Sequence, residues 1–342
     1  MASGAKADGV RKSTRTQSAH AAAWLVAALL VPALLTVSGC DAGSGTPASP
    51  VLSRAQSLPG DAVKMTPQSD PHPPILHSAE YETPVPAPGA INTAGAEDSP
   101  FVTPDGSTMY FFFTPDVRVP VEKQLLDGVT GVYVSRRSGD SWSEAERVIL
   151  QKVGKLSLDG AVFVLGDEMW FASAREGNYR GVDMWTAQWN GGAWTDWENA
   201  GALLNVEYLI GEMHISADGL TMYFHSDRPG GQGGYDIWTT TRSGDGWATP
   251  VNLAAVNSVD TEGWPFVSED GRELWFTRFY MGTPAIFRSR LGPSGWEAPE
   301  LIVSQFAGEP TLDREGNLYF VHHYFSDGQM LEADIYVARP VR

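Results

Sequence analysis

The chain has 342 residues, of which 41 are Asp or Glu and 24 are Lys or Arg, so its formal net charge at pH 7 is −17. An acidic chain of this kind is not expected to bind nucleic acid, because phosphate backbones are bound by basic surfaces. Cys40 is the only cysteine, which excludes an intramolecular disulfide and leaves apolar packing to stabilise the fold.

The first 39 residues have the features of a bacterial secretion signal. Four basic residues precede an apolar stretch over 21–37, as in the n-region and h-region of a signal peptide. The tetrad Val37-Ser38-Gly39-Cys40 resembles the lipobox of bacterial lipoproteins, whose cysteine is acylated. We therefore predict a lipoprotein signal peptide over 1–39 and a lipid on Cys40. An ordinary cleaved signal and an uncleaved membrane anchor are the alternatives.

A lipid on Cys40 predicts a protein anchored to a membrane of the bacterial cell envelope and facing the periplasm or the cell exterior. The sequence leaves open whether that membrane is the inner or the outer one. Residues 40–78 are rich in Pro, Ser, Ala and Gly and show no apolar periodicity. This composition predicts a disordered tether ahead of a folded domain over 79–342.

A turn followed by an aromatic strand recurs five times in the second two-thirds of the chain. The copies are TPDGSTMYF (103–111), FVLGDEMWF (163–171), SADGLTMYF (216–224), SEDGRELWF (268–276) and LDREGNLYF (312–320). A repeat of this length that is made of strands is typical of a β-propeller, with one blade for each copy. The sequence therefore predicts an all-β fold, a five-bladed β-propeller of four-stranded antiparallel blades.

The fifth repeat ends after its third strand-like segment, so its blade lacks a fourth strand from the same part of the chain. The segment YETPVPAPGAINTAGAEDSP (81–100) aligns with WATPVNLAAVNSVDTEGWP (247–265), which begins at the fourth strand of the third repeat. We therefore predict that an N-terminal strand at about 79–86 completes the last blade and closes the ring, which would remove the open sheet edges.

The third and fourth repeats carry a resemblance to a known family. The stretch HSDRPGGQGGYDIWTTTRSGDGWATPVNLAAVNSVDTEGWPFVSEDGRELWFTR (225–278) resembles the WD40-like, Pro-Asp-Gly repeats that also occur in TolB and in many bacterial envelope lipoproteins. The resemblance covers about residues 79–342 and is weaker in the second repeat, where Gly166-Asp167 replaces Asp-Gly. It implies a propeller, often with a protein- or envelope-binding role, and no shared catalytic residues.

Candidate ligand-binding residues lie where the innermost strands of the blades begin. Counting six residues back from each turn places Ser99, Asp159, Glu212, Trp264 and Glu309 at this position, with Asp98 and Glu262 as close neighbours. Loops between second and third strands open on the same face, and long loops on a rigid scaffold are common binding sites. Carboxylates that converge there could bind a metal, a cationic side chain or sugar hydroxyls, or act as general acids and bases, while Trp264 could stack on a sugar. A solvated channel rim is the alternative. The candidates at the channel mouth are Asp98, Asp159, Glu212, Glu262, Trp264 and Glu309, of which Asp159, Glu212 and Glu309 are the potential catalytic set.

His214 follows Glu212 by two residues and is expected on the same side of its strand. With His225 it could form part of a metal site, but no other repeat offers a matching ligand, so we expect no metal and no cofactor. The loop residues Arg228, Tyr280 and His323 complete the ligand-binding candidates.

Three aspartates, Asp183, Asp236 and Asp334, each precede the aromatic residue of a third strand by two positions. A feature that repeats in this way predicts a structural role in capping the start of the strand.

These observations favour a lipid-anchored, extracytoplasmic propeller that acts as a non-enzymatic binding module for an envelope protein or a polysaccharide. The alternative is a carbohydrate-active hydrolase or lyase that uses the carboxylates of the channel mouth. Five-bladed propellers include glycoside hydrolases, but a fold does not decide a function.

Overall fold

The computed structural model describes residues 52–244 and 246–342. The predicted signal segment and Cys40 lie outside the described residues, as does the stretch 40–51 of the predicted tether. Within the described part of the chain, no helix is both long and apolar enough to span a bilayer.

The described residues form an all-β protein with four sheets, the largest of which joins the first and the last of five antiparallel units that follow one another along the chain. A short N-terminal part contains a four-residue helix α1 (Arg54–Ser57) and the two-residue strands β1 (Ile75–Leu76) and β2 (Val85–Pro86). The first unit contains β3 (Ala96–Val102), β4 (Thr108–Thr114), helix α2 (Val121–Gln124), β5 (Gly131–Ser138), β6 (Ser141–Trp142) and β7 (Glu146–Arg147). The second contains β8 (Ser157–Leu165), β9 (Glu168–Arg175), β10 (Asp183–Trp189) and β11 (Trp194–Asn199).

A short π-helix (Leu203–Glu207) leads into the third unit. This unit contains β12 (Met213–Ile215), β13 (Thr221–Ser226), β14 (Asp236–Ser243), β15 (Gly246–Trp247) and β16 (Val251–Asn252). The fourth contains β17 (Glu262–Val267), β18 (Glu273–Tyr280), β19 (Thr283–Gly292), β20 (Gly295–Trp296) and β21 (Glu300–Ser304). The fifth contains β22 (Ala307–Leu312), β23 (Leu318–Ser326) and β24 (Gln329–Ala338).

The Asp-Gly turns have the local structure that their residue types favour. In the third unit, Gly219 has φ +74°, which glycine adopts without a steric penalty. Asp218 accepts a hydrogen bond of 2.9 Å from the backbone N–H of Leu220. The second unit differs, because β8 and β9 are joined only by Gly166 and Asp167. This shorter turn shifts the numbering of that unit relative to the others.

The aromatic anchors of the repeats pack between neighbouring units. Tyr110 of the first unit meets Trp194 of the second with ring centroids 6.4 Å apart, in an edge-to-face arrangement. The same contact recurs between the third and fourth, fourth and fifth, and fifth and first units, in the pairs Tyr223–Trp296, Trp275–Tyr81 and Tyr319–Trp142. The repeat spacing therefore reflects a repeated inter-unit contact.

The N-terminal strand β2 lies at the fourth-strand position of the fifth unit. Val85 pairs with Val337 and Pro86 with Tyr336 in antiparallel register, and Tyr81 forms an isolated bridge with Pro340. The fifth and first units also share one sheet through a single parallel pairing of β24 with β3. The first strands of the five units contact one another in the order β3, β8, β12, β17 and β22, and β22 contacts β3.

Residues 52–78 correct the prediction of a disordered tether over 40–78. Arg54 is 1% exposed and donates through Nη1 to the carbonyl of Ile91 at 2.7 Å and to Glu97 at 3.0 Å. Strand β1 pairs in antiparallel register with β21 of the fourth unit. We call residues 53–77 the strap, because they cross from the first unit to the fourth.

Two further polar contacts hold the strap on the fifth unit. The Lys64 ammonium group binds Glu332 at 2.6 Å and also pairs with Asp334. Asp70 and His322 form a fully buried pair with 2.8 Å between Oδ2 and Nε2. Composition predicted disorder because the strap contains few apolar residues, but its order comes from individual charged side chains and one strand pairing.

Candidate functional site

A cavity of about 870 Å³ opens where the first strands of the five units begin. Its floor includes residues from four of these strands and Glu212, which directly precedes β12, and part of its wall is the 2–3 loop of the first unit with helix α2. Apolar side chains complete the wall, among them Phe112, Phe306, Phe325 and Met330. A smaller cavity of about 50 Å³ lies beneath it, between the first strands. A site of this size and concave shape can hold a small ligand or a short polymer segment.

A backbone irregularity in four of the first strands places one residue of each between the two cavities. In four units the ladder between first and second strands shifts register, and the residue at the shift has a left-handed φ of 48–55°. Such a conformation is unfavourable for residues other than glycine and is found where neighbouring structure imposes it. The five residues that line both cavities are Ser99, Ala161, Glu212, Trp264 and Glu309.

This arrangement corrects the predicted position of Asp159. Counting back from the turns placed Asp159 in register with Glu212 and Glu309, but Ala161 occupies that position. The count failed because the turn of the second unit has only two residues and β8 is correspondingly longer. Asp159 still lines the large cavity, two residues before the equivalent position.

Three predicted carboxyl groups meet on the floor of the large cavity: Asp98, Glu212 and Glu309. Burial, followed by the neighbouring Asp98 charge, raises the pKa of Glu212 to about 8. Burial, with repulsion from Asp98 and Glu212, also raises the pKa of Glu309 well above its usual range. These two carboxyl groups therefore hold protons at neutral pH.

Glu309 is the most constrained of these acids. Its side chain belongs to a residue that is only 7% exposed, and its Oε2 atom has no hydrogen-bond partner among the described residues. Its backbone N–H donates to Oγ1 of Thr277 at 2.8 Å. His323 comes from the fifth unit and is also brought to the cavity, where its Nε2 lies 3.5 Å from Oδ2 of Asp98.

The other predicted acids are held in structural ion pairs. Arg175 binds Asp159 at 2.6 Å, and Arg278 binds Glu262 at 2.6 Å. Each guanidinium group also lies over two aromatic rings of its own unit. These contacts satisfy the two carboxylates, so the predictions that Asp159 is catalytic and that Glu262 binds ligand are not supported by the geometry.

Glu97 is a third acid of this kind, and the sequence reasoning missed it. It is fully buried, and its partner Arg54 comes from the strap. The three paired acids each lie two positions before a residue that lines both cavities. Glu97 precedes Ser99, Asp159 precedes Ala161, and Glu262 precedes Trp264. The equivalent positions of these three acids could have been found in the sequence. They were missed because the count back from the turn is wrong by two residues in the second unit.

His214 lies in the smaller cavity, with its ring centroid 4.5 Å from that of Phe163 and 4.6 Å from that of Phe266. Burial lowers the pKa of His214 to about 3, so the ring is neutral at physiological pH. Among the described residues, no group of three or more His, Cys, Asp and Glu side chains is arranged to hold a metal ion.

The remaining candidates lie beside or away from the cavity. Trp264 borders it, but the residue is 7% exposed and its ring packs 5.2 Å from that of His225, which leaves little surface for stacking on a sugar. Arg228 lies over the rings of Tyr208 and Trp238. Arg228 and Tyr280 are not among the described residues that line the cavity.

The predicted capping role of the recurrent aspartates is seen in two units. Asp236 accepts hydrogen bonds from the backbone N–H groups of Gln232 and Gly233 at 2.6 and 3.0 Å. Asp183 accepts the equivalent bonds in the second unit. Asp334 differs, because it pairs with Lys64 of the strap.

No protein-family model matches the sequence, and a comparison with curated proteins finds no match. Solved structures do match. An endo-arabinase from Bacteroides thetaiotaomicron is 15% identical with a TM-score of 0.49, over 75% of this chain and 97% of that one. TolB from Acinetobacter baumannii is 14% identical with a TM-score of 0.44, over 84% and 66%. A xylan β-1,4-xylosidase from Bacillus halodurans is 14% identical with a TM-score of 0.45, over 72% and 53%. Function is therefore argued from the site itself.

Proposed function

We propose that this protein is a lipid-anchored, extracytoplasmic β-propeller that binds a glycan of the cell envelope in the cavity over its channel mouth. The observation that carries the proposal is the floor of that cavity. There Asp98, Glu212 and Glu309 converge, and none of them forms an ion pair with a lysine or arginine among residues 52–244 and 246–342. Buried acids elsewhere in the first strands do have such partners, so these three are available to a ligand.

The chemistry of the floor suits a ligand rich in hydroxyl groups. A protonated carboxyl both donates and accepts hydrogen bonds, which matches the two roles of a sugar hydroxyl. The pKa values of Glu212 and Glu309 are raised, so both groups are in this form at neutral pH. The apolar side chains of the wall can pack against the C–H faces of sugar rings.

The five units are proposed to form one closed five-bladed ring. The proposal is supported by the contact between β22 and β3, by the Tyr319–Trp142 pair and by the place of β2 beside β24. The folded domain then extends from about residue 53, because the strap packs on it. Cys40 precedes Ser53 by 13 residues, which span at most about 45 Å when fully extended, so a lipid on Cys40 would keep the cavity near the membrane.

Binding is tested with envelope polysaccharide fragments by isothermal titration calorimetry. We expect Glu212→Ala and Glu309→Ala to weaken binding about tenfold or more, because each removes a buried hydrogen-bonding group. Glu198→Ala removes an exposed acid outside the cavity and should bind like the wild type. If no fragment binds, or if all three variants bind equally well, the proposal is wrong.

The lipid anchor needs a separate test. Metabolic labelling with a fatty acid should mark the wild-type protein and leave the Cys40→Ser variant unlabelled and soluble after cell fractionation. An unlabelled wild type would remove the membrane from the proposal without affecting the glycan site.

Glycoside hydrolysis is a second candidate, and one observation favours it. Glu212 holds its proton at neutral pH and lies beside Asp98 on the cavity floor. Two neighbouring carboxyl groups, one of which keeps its proton, can act as a general acid and a general base. If the protein cleaves oligosaccharides, Glu212→Gln should lower the rate about 100-fold or more, and the rate should fall above about pH 8 as Glu212 loses its proton. Absence of turnover on every glycan that binds would leave binding as the function.

A further inference from the structure

The acids in or beside the first strands fall into two sets that differ in their partners. Each acid of the first set is bound by a guanidinium group at 2.6–3.0 Å. The second set forms the cavity floor. Among the described residues, only one basic side chain forms an ion pair with any of its three acids, and this is His323, which lies 3.5 Å from Asp98. The first set comprises Glu97, Asp159 and Glu262, and the second Asp98, Glu212 and Glu309.

Glu309 provides an independent observation in favour of a ligand at the second set. The residue is more than nine-tenths buried, lines the cavity and leaves Oε2 without a hydrogen-bond partner in the described structure. Buried polar atoms are almost always satisfied in native proteins, and an exception in a cavity wall marks a place where a donor is missing.

We propose that the glycan bound in this cavity carries a free amino group, and that its ammonium group binds between Asp98, Glu212 and Glu309. The inference rests on the proposed function and specifies its ligand as an amino sugar that is not N-acetylated. An ammonium group supplies three donors and the positive charge that the floor lacks. A bare metal ion fits less well, because the described acids are not arranged as a metal site.

The surroundings of the floor do not provide a competing cation. Arg118 on the cavity rim is bound by Asp61 and Asp116 at 2.8–3.1 Å, and Arg175 is bound by Asp159. The charged and titratable groups that line the cavity are Asp98, Arg118, Glu122, Asp159, Glu212, Glu309 and His323. Even with Glu212 and Glu309 protonated, the acids Asp98, Glu122 and Asp159 outnumber Arg118 in this set, so an entering cation meets a negative potential.

Proton release distinguishes this ligand from a neutral sugar. In the free protein, burial and mutual repulsion keep protons on Glu212 and Glu309 at neutral pH. An ammonium group favours the ionised carboxylates, so its binding displaces protons, and the affinity of a permanently charged amine rises between pH 6 and 8. A neutral glycan displaces none.

The test uses the full chain and calorimetry in two buffers of different ionisation enthalpy at pH 6, where the glucosamine amino groups are largely protonated and proton release comes from the carboxyl groups. Glucosamine tetramer is compared with N-acetylglucosamine tetramer. We expect the free amine to bind about tenfold or more tightly than the acetylated form and to release about one proton. Glu309→Gln should remove most of this preference and of the proton release, while Glu198→Gln, an exposed acid outside the cavity, should change neither. Glu212→Gln provides a second variant if Glu309→Gln does not fold.

Four other outcomes would overturn the inference, and each points to a different conclusion about the site. Equal affinities without proton release would refute it and leave the glycan proposal standing. No binding of either tetramer, or of other fragments, would refute both. Tighter binding of a tetralysine peptide would assign the site to a protein side chain, and displacement of the glucosamine tetramer by micromolar Ca²⁺ would assign it to a metal.

Discussion

The contact between Arg54 and Glu97 offers a quantitative test of how the strap is held. Both side chains are fully buried, and Arg54 also donates to the carbonyl groups of Ala90 and Ile91 at 2.7 Å. The Arg54→Met variant keeps the volume of the side chain but removes every one of these donors. Breaking a buried ion pair by removing one partner costs about 3–5 kcal/mol, because the remaining charge is left uncompensated.

Glu97 makes the size of this effect depend on pH. Burial raises the pKa of Glu97 to about 7 even with Arg54 in place, and removal of Arg54 would raise it further. A carboxyl whose pKa is higher in the folded than in the unfolded state favours folding at low pH and opposes it as the pH rises. We therefore expect the destabilisation of Arg54→Met to be about 3–5 kcal/mol at pH 8 and markedly smaller at pH 5, where Glu97 takes up a proton.

Urea denaturation of both proteins at pH 5 and pH 8 measures this difference. The double variant Arg54→Met/Glu97→Gln should recover most of the loss at pH 8, since no charge is left buried. Arg118→Met is the matched control, because its ion pair with Asp61 joins side chains that are 59% and 69% exposed, and its loss should leave the free energy of unfolding nearly unchanged. A loss below about 1 kcal/mol in Arg54→Met at pH 8, or a loss independent of pH, would contradict the account.

Three further predictions concern the fold, the strap and the cavity. Gly89→Ala should destabilise the domain by about 2 kcal/mol or more in thermal denaturation, because φ is +99° and a Cβ would overlap the backbone of Trp142, whereas Gly60→Ala, with open space around it, should change little. Lys64→Met should expose the strap to limited proteolysis and destabilise the protein by about 1–3 kcal/mol, because it leaves Asp334 buried without its cation. Stability should fall between about pH 5 and 8, because Glu212 ionises near its ordinary pKa in the unfolded chain but keeps its proton up to about pH 8 in the folded one. The Asp98→Asn variant should reduce that fall in a urea titration, and an unchanged slope would show that the two carboxyl groups do not interact.

Much of the architecture could be predicted because the repeats encode a repeated physical contact. An aromatic residue on each second strand and another on each fourth strand are needed for units to pack side by side, and both are visible in the sequence. The alignment of Tyr81 with Trp247 extended this rule to the N-terminus, where Tyr81 packs on Trp275. Local propensity and packing agree at these positions, which is why the pattern is readable.

The strap could not be predicted, because its order does not come from an apolar pattern. Its composition resembles that of a linker, and only the fold reveals that Arg54 and Lys64 face buried carboxyl groups and that Asp70 faces the buried imidazole of His322. These partners lie 43 to 268 positions away in sequence. No periodicity within the strap predicts contacts of this kind.

The strap supplies the first and fifth units with a cation that other units take from their own second strand. In the second and fourth units the second strand supplies its own guanidinium group, Arg175 or Arg278, to an acid of the first strand. In the first unit the strap supplies Arg54 in that role, and in the fifth it supplies Lys64 to acids of the third strand.

This pattern sharpens the meaning of the cavity floor. Within the first strands, the buried acids Glu97, Asp159 and Glu262 each have a guanidinium partner, even where that partner, Arg54, comes from a distant part of the chain. Asp98, Glu212 and Glu309 are left without one although burial and the Asp98 charge raise the pKa values of Glu212 and Glu309, and such an arrangement destabilises the folded state unless a ligand compensates it. The acids that support the fold and those that are available to a ligand are thus separated by the presence of a guanidinium partner, a distinction that residue type alone did not reveal.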